Sequence, residues 1–194
     1  MDVEEVDVEE AVTANRRFDD VITTEAQLRK IVGPANRWFT SKILQKLDRS
    51  CRGFIAASPF VVVGSTDPLG MVDLSPKGDR PGFVRCLDDA TVAIPDRRGN
   101  RRVDTFHNVL QNPGVGLVFF VPGQRETLRV AGRAVIVRDQ DIRSALADNG
   151  RTPELAMIVM VERVFFHCGK CITRSHLWDY EEHREQAEAL LPAV

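Results

Sequence analysis

The chain has 194 residues and a formal net charge of −2, with hydrophobic and charged fractions of 43% and 28%. That length and composition suit one globular domain with a substantial core and an added tail. The balanced charge excludes a global field that would gather nucleic acid or an anionic membrane. No apolar run approaches the length of a membrane span.

The N-terminus places Asp2, Glu4, Glu5, Asp7, Glu9 and Glu10 before any apolar run, the reverse of a secretory signal, so a cytoplasmic location is expected. Residues 1 to about 20 lack periodicity and read as a mobile acidic arm. Residues 21–194 read as a single domain with helices at its N-terminal side and a helical tail.

The first predicted element is a helix over Thr24–Val32. Thr24 and Gln27 have capping-box spacing, Leu28, Ile31 and Val32 share a face, and Gly33-Pro34 ends it. A second helix is expected over about Asn36–Leu47, where Phe39, Ile43 and Leu47 form an i, i+4 stripe; Trp38 and Phe39 read as core packing. From Phe60 the pattern turns to strands. Phe60–Ser65 is β-branched, Asp67-Pro68-Leu69-Gly70 is a turn, and Met71–Ser75 returns antiparallel. Phe83–Cys86 and Thr91–Ile94 read as another hairpin about the Asp88-Asp89 turn. A short helix over Val103–Gln111 stops at Asn112-Pro113.

Val115–Val121 is a strongly apolar strand. Pro122-Gly123-Gln124 turns it into Thr127–Val137, where Gly132 predicts a bulge of the kind that closes barrels. Asp139–Asn149 reads as a surface helix capped by Asp139 and stopped by Gly150. Leu155–Phe166 is a long apolar strand, and Ser175–Leu191 a charged helical tail. Six or seven antiparallel strands with short peripheral helices predict a mainly β protein, a small closed or nearly closed barrel. There is no βαβα rhythm to suggest a parallel sheet.

The four cysteines fit a reducing compartment. Cys51 and Cys86 are isolated and read as buried small apolar residues. Cys168 and Cys171 form a C-x-x-C, taken first as structural thiols. A redox motif should open a helix in a βαβ context, and a zinc site needs a second ligand pair that His176 and His183 do not supply at standard spacing.

The chain holds neither G-x-G-x-x-G nor G-x-x-x-x-G-K-[ST]. What it does hold is Lys77 beside Gly78 at one strand end and Arg97, Arg98, Arg101 and Arg102 after the next hairpin. Asn100 and Asp104 are placed to orient those arginines, and the two basic groups are expected to follow neighbouring strands. Cations and free backbone N–H groups at one end of a small sheet suit a phosphate monoester. A solvated basic loop is the plain alternative. A nucleic-acid surface would interleave aromatics with the arginines, and residues 95–105 contain none.

The specific segments are Asp73-x-Ser75-Pro76-Lys77-Gly78-Asp79, Pro81-Gly82-Phe83, Ile94-Pro95-Asp96-Arg97, Gly99-Asn100-Arg101-Arg102 and His167-Cys168-Gly169-Lys170, followed by Arg174-Ser175-His176-Leu177-Trp178. With these the chain resembles the pyridoxamine 5′-phosphate oxidase-like family of FMN-binding split barrels, in a branch of FMN-dependent enzymes. The resemblance spans nearly everything after the acidic arm. It implies a homodimer with FMN at the subunit interface and a small-molecule substrate, with no nucleic-acid or membrane partner. It implies that Asp73, Ser75, Pro76, Lys77 and Gly78 line the flavin, and that Pro95, Asp96, Asn100, Arg101 and Arg102 hold its phosphate. Thr127 would reach the flavin from the second subunit, with Arg174 and Trp178 closing over it.

The chemistry would be the flavin's, with the protein placing substrate and tuning the ring. No side chain stands out as an acid or base, and His107 and His167 read as packed or surface histidines. Enzymes that oxidise pyridoxamine phosphate carry a C-terminal Arg-Leu-His-Asp-Arg-like segment where this chain has Thr173-Arg174-Ser175-His176-Leu177-Trp178, and a longer apolar run where it has Pro76-Lys77-Gly78. Other functions that fit the same barrel are a non-catalytic flavin- or haem-binding module and a reductase using deazaflavin F420. The latter would need a wider basic groove than this cluster offers.

Overall fold

The computed structural model describes residues 18–34, 42–99 and 101–184. The chain divides into two compact units, residues 1–41 and 42–194.

In the first unit, α1 (Glu25–Val32) forms as its capping box predicts. The Thr24 hydroxyl accepts the Gln27 N–H, and Gln27 Oε1 accepts the Thr24 N–H in return. Gly33 ends the helix at φ 76°. Its apolar residues Leu28, Ile31 and Val32 are exposed.

The second unit contains α2 (Arg49–Ala57), β1 (Phe60–Thr66), β2 (Val72–Gly78), β3 (Arg85–Cys86), β4 (Thr91–Pro95), α3 (Asp104–Gln111), β5 (Gly114–Phe120), β6 (Thr127–Val137), α4 (Gln140–Ala145), β7 (Ala156–His167) and α5 (Lys170–Arg174). The seven strands make one sheet in the order β2-β1-β5-β6-β7-β4-β3. Every pairing is antiparallel. This is the expected mainly β architecture.

Alternation sets which face each strand buries. On one face lie Val61 and Val63 of β1, Leu117 and Phe119 of β5, Leu128 and Val130 of β6, Val92 and Ile94 of β4, and Met157 and Val159 of β7. With Cys51 and Ile55 of α2 and Phe106 and Val109 of α3 they form the main core. Each such side chain contributes about 1.5–3 kcal/mol by leaving water. A smaller core of Ala93, Leu146, Ala156 and Ile158 packs on the opposite face of β4 and β7, with Ile142 of α4 against it.

The register of β6 on β7 slips between Ala131 and Gly132, the bulge that Gly132 predicts. A Cβ at Gly132 would strike the carbonyl oxygen of Met160, so only glycine fits.

Several elements differ from the sequence reading. Residues 42–47 are not helical: Leu44 instead makes a β-bridge to Val164. Residues 35–41, with Trp38 and Phe39, lie outside the described residues. The helix after this segment is α2, which the sequence reading did not place. Asp48 caps it by accepting the Cys51 N–H at 2.8 Å, a bond that holds its carboxyl below the usual carboxylate value.

Strand β2 continues through Pro76, as an edge strand can, because its outer side has no ladder to fill. Helix α4 has only six residues, and Asp139 makes no side-chain cap. The C-terminal segment is not one helix: α5 is followed by turns over 175–178 and helix resumes at 180. Residues 1–17 of the acidic arm, and 185–194, lie outside the described residues. No helix among the described residues is long and apolar enough to cross a membrane.

Candidate functional site

Strand β2 pairs Lys77 with Val61, Ser75 with Val63 and Asp73 with Ser65 of β1. Partners across a pair share a face, so Asp73, Ser75 and Lys77 look toward the core side. Helix α3 covers that side. Asn108 Nδ2 donates to Ser65 Oγ at 3.0 Å, both residues being buried, and Asn112 Nδ2 donates to Thr66 Oγ1 at 2.6 Å. These bonds fix α3 against the end of β1.

Lys77 is the centre of a half-buried charge cluster. Its Nζ lies 3.3 Å from Ser75 Oγ and 5.9 Å from the centroid of the Phe106 ring. Burial pulls its ammonium below the ordinary lysine value, and the Asp96 and Asp73 carboxylates offset part of that pull. Asp96 is raised above the ordinary carboxylate value, again chiefly by burial and opposed by Lys77. Asp73 Oδ2 is buried and has no hydrogen-bond partner. A buried acceptor left empty costs about 1–3 kcal/mol, so it marks a place that a donor should fill.

Lys77 and Asp96 do not stand on neighbouring strands, contrary to expectation. Four strands separate β2 from β4 in the sheet order. The sheet curls until its two wings meet, and the seam is closed by side chains. Arg97 Nε donates to Asp79 Oδ2 at 2.6 Å, and Arg97 Nη1 to the Leu146 carbonyl at 3.1 Å. Arg97 is therefore engaged in closing the barrel and is not a free cation. Beyond the seam opens a cavity of about 720 Å³, lined by Asp79, Asp96, Arg97, Arg98, Asp148, Asn149, Arg151, Thr152, Pro153 and Glu154. It shares Asp96 with the Lys77 cluster.

After β4 the chain carries the remaining arginines on a strained turn. Arg101 sits at φ 62° and Val103 at φ 54°, the latter an unfavourable conformation for a β-branched residue. Both arginines are exposed, and Arg102 Nη2 lies 2.8 Å from Asp104 Oδ2, as the sequence reading placed that carboxylate. Asn100 lies outside the described residues. Pro95 is the buried last residue of β4.

Thr127, Arg174 and Trp178 are held apart from the Lys77 cluster. Thr127 is the buried first residue of β6, paired with His167, and two strands stand between β6 and β2. Trp178 Nε1 donates to the Gln124 carbonyl at 2.6 Å, fastening the C-terminal segment to the β5–β6 turn. The exposed Arg174 donates from Nε to the Lys170 carbonyl at 3.3 Å. The chain thus gathers Asp73, Ser75, Lys77 and Asp96, and places Thr127 in β6, Arg174 at the end of α5 and Trp178 in the turn that follows it. His107 is exposed and His167 half-buried. His176, Asp179 and Glu182 also lie close together. Their mutual bonds account for the grouping: His176 Nδ1 is 2.8 Å from Glu182, and the Glu182 N–H donates to Asp179.

Sequence reasoning missed three contributors: Phe106 and Asn108, whose i, i+2 placement near the start of α3 carried no signal, and the Asp79–Arg97 pair, whose partners are 18 residues apart.

A model of the pyridoxamine 5′-phosphate oxidase family matches residues 47–168, which hold β1 to β7, the Lys77 cluster and the seam. The chain belongs to this family. Among solved structures, HupZ of Group A Streptococcus is 20% identical, with 61% of this chain and 92% of that one covered at a TM-score of 0.51. A candidate pyridoxamine 5′-phosphate oxidase of Lactobacillus delbrueckii is 19% identical, covering 63% of this chain and 95% of that one, also at 0.51. At such identities the likeness is one of fold, and it agrees with the split barrel. No curated protein matches the chain.

Proposed function

We propose that this protein is an FMN-binding oxidoreductase of the pyridoxamine 5′-phosphate oxidase-like class, acting on a small molecule as a homodimer with flavin at the subunit interface. The observation that carries the reading is the buried, unpartnered Asp73 Oδ2 beside the half-buried Lys77 ammonium. A flavin mononucleotide offers a ring N–H for the empty acceptor and a ring carbonyl oxygen for the ammonium, so the donor set fits the group. Family membership supports the same assignment. When bound, FMN supplies hydride or one-electron transfer.

The chain's own residues bind and orient. Asp73, Ser75 and Lys77 line the flavin from the inner face of β2, while Pro76 and Gly78 lie on its outer face, and Asn100, Arg101 and Arg102 hold its phosphate beside the Pro95–Asp96 strand end. The strain at Arg101 and Val103 suits a turn that an anion keeps in place. Thr127, Arg174 and Trp178 belong to the wall that the second subunit presents. The cavity beyond Asp96 admits the substrate. Its mixed charges fit a polar molecule, and the Thr173–Trp178 segment sets that molecule apart from pyridoxamine phosphate.

The dimer reading rests on the opposite face of the same strands. Val72, Leu74 and Phe60 are exposed at 65%, 67% and 39%, and Pro76 is exposed beside them. Gly64 and Gly116 pair directly on that face and leave it without side chains there. A contiguous apolar face of this kind marks an association surface, and a second copy of the chain covers it in this reading.

Calorimetric titration of FMN into the apoprotein tests the assignment. Saturable binding at one FMN per chain, weakened in Asp73→Leu, is the expected result. Absence of saturable binding, or an unchanged affinity in Asp73→Leu, contradicts it.

A further inference from the structure

The four cysteines fall into two physical classes. Cys51 is buried in the main core, and burial pushes its thiol up to about 12. Cys86 is half-buried against the same core, and burial raises its thiol too. Such thiols are inert packing. Cys168 and Cys171 are different: both are exposed, against the expectation of structural thiols.

Their placement is also specific. Gly169 is the N-cap of α5, so Cys168 stands just before the helix and Cys171 in its first turn. Gly169 has φ −74° and ψ 5° and Lys170 is helical, so Cys168 and Cys171 stand at the two ends of one turn, which brings such Cα atoms within about 7 Å; a disulfide needs them about 4.4–6.8 Å apart. Cys171 Sγ lies 4.0 Å from the Cys168 carbonyl oxygen, so the second sulfur is turned back toward the first residue. The turn is anchored from three sides. Gly169 packs so closely on Arg125 that a Cβ there would clash. Ile172 is buried. The Thr173 N–H donates to the Gly169 carbonyl at 2.9 Å.

We propose that Cys168 and Cys171 form a thiol–disulfide couple that closes by exchange with a small-molecule disulfide. One protein thiolate attacks a sulfur of the small disulfide, forming a mixed disulfide and releasing one small thiolate. The second protein thiolate then attacks the protein sulfur of that mixed disulfide. This forms the Cys168–Cys171 bond and releases the second small thiolate. Two protein thiols are oxidised, one disulfide is reduced to two thiols, and the two protons pass to the released thiolates. The closed bond cross-links the first turn of α5, the element that leads into Arg174 and Trp178. The couple needs no flavin, so it stands or falls apart from the reading of the flavin site.

The test incubates the full-length protein with a series of reduced and oxidised glutathione mixtures, alkylates free thiols, and maps tryptic peptides. Trypsin cuts after Lys170, so the bond appears as peptide 164–170 linked to 171–174. The expected result is this linked pair forming with a single midpoint along the series, while a non-reducing gel shows no chain-to-chain cross-link. Cys168→Ser and Cys171→Ser should each hold a lasting glutathione adduct on the remaining thiol. Wild-type protein that keeps glutathione on both cysteines, cross-links between chains, or stays reduced throughout overturns the proposal.

Discussion

Strands β5 and β2 flank β1 and carry opposite patterns. In β5 the core-side residues Val115, Leu117 and Phe119 are apolar and buried, as a half-buried strand requires. In β2 the core-side residues are Asp73, Ser75 and Lys77, and the apolar Val72, Leu74 and Pro76 stand in the open. The inversion cannot be a slip of register, because the β1–β2 pairing runs without interruption from Phe60–Gly78 to Thr66–Val72. A strand that points polar groups inward and apolar groups outward leaves both its faces without the packing that β5 finds. In the proposed reading the inner face takes the ligand and the outer face a second chain.

The largest effect is expected where the ligand's charge is held. Arg101→Ala with Arg102→Ala should weaken FMN binding by about 3 kcal/mol or more, since each hydrogen bond between charged groups contributes about 1.5–3. Unchanged affinity by calorimetry removes the phosphate from this turn and breaks the inner half of the comparison. On the outer face, Leu74→Arg should weaken dimerisation by about 2–3 kcal/mol, the size of an interface hot spot. Sedimentation checks it, and an undisturbed dimer puts the interface elsewhere. Lys77→Met keeps the length of the side chain and removes its charge, and it should lower FMN affinity by about 1.5–3 kcal/mol. The apoprotein should fold normally, because the half-buried ammonium has only partial compensation there.

The smallest effect is on pH dependence. Lys77 has a folded value lowered from 10.5. The unfolded chain therefore binds more protons between that lowered value and 10.5, and apoprotein stability should rise with pH across this window. Denaturant titrations should lose that rise in Lys77→Met, and a rise of the same size in the variant assigns it to another group.

Much of this was legible in the residues because it is local. The Thr24–Gln27 box, the alternation that bounds β6 at Thr127 and Val137, and the Gly132 bulge each follow from a few adjacent positions. The segments Asp73–Gly78 and Ile94–Arg97 were legible as chemistry and were expected to meet, but as neighbours in the sheet, which they are not. They come together by the curl of a seven-stranded sheet and a seam between Asp79 and Arg97. Pairing between distant strands also defeated the helix expected up to Leu47, where Leu44 is drawn to Val164. The exposure of Cys168 and Cys171 depends on how a five-residue helix lies on the β5–β6 turn, which no spacing rule reports.

The central claim is that the inner face of β2 is a flavin site. An absorption spectrum of the purified protein, with the mass of whatever cofactor is released on denaturation, tests it most directly. A flavin spectrum with the mass of FMN is the predicted result. A colourless protein that takes up deazaflavin F420 or haem but not FMN, or that binds none of them, contradicts it.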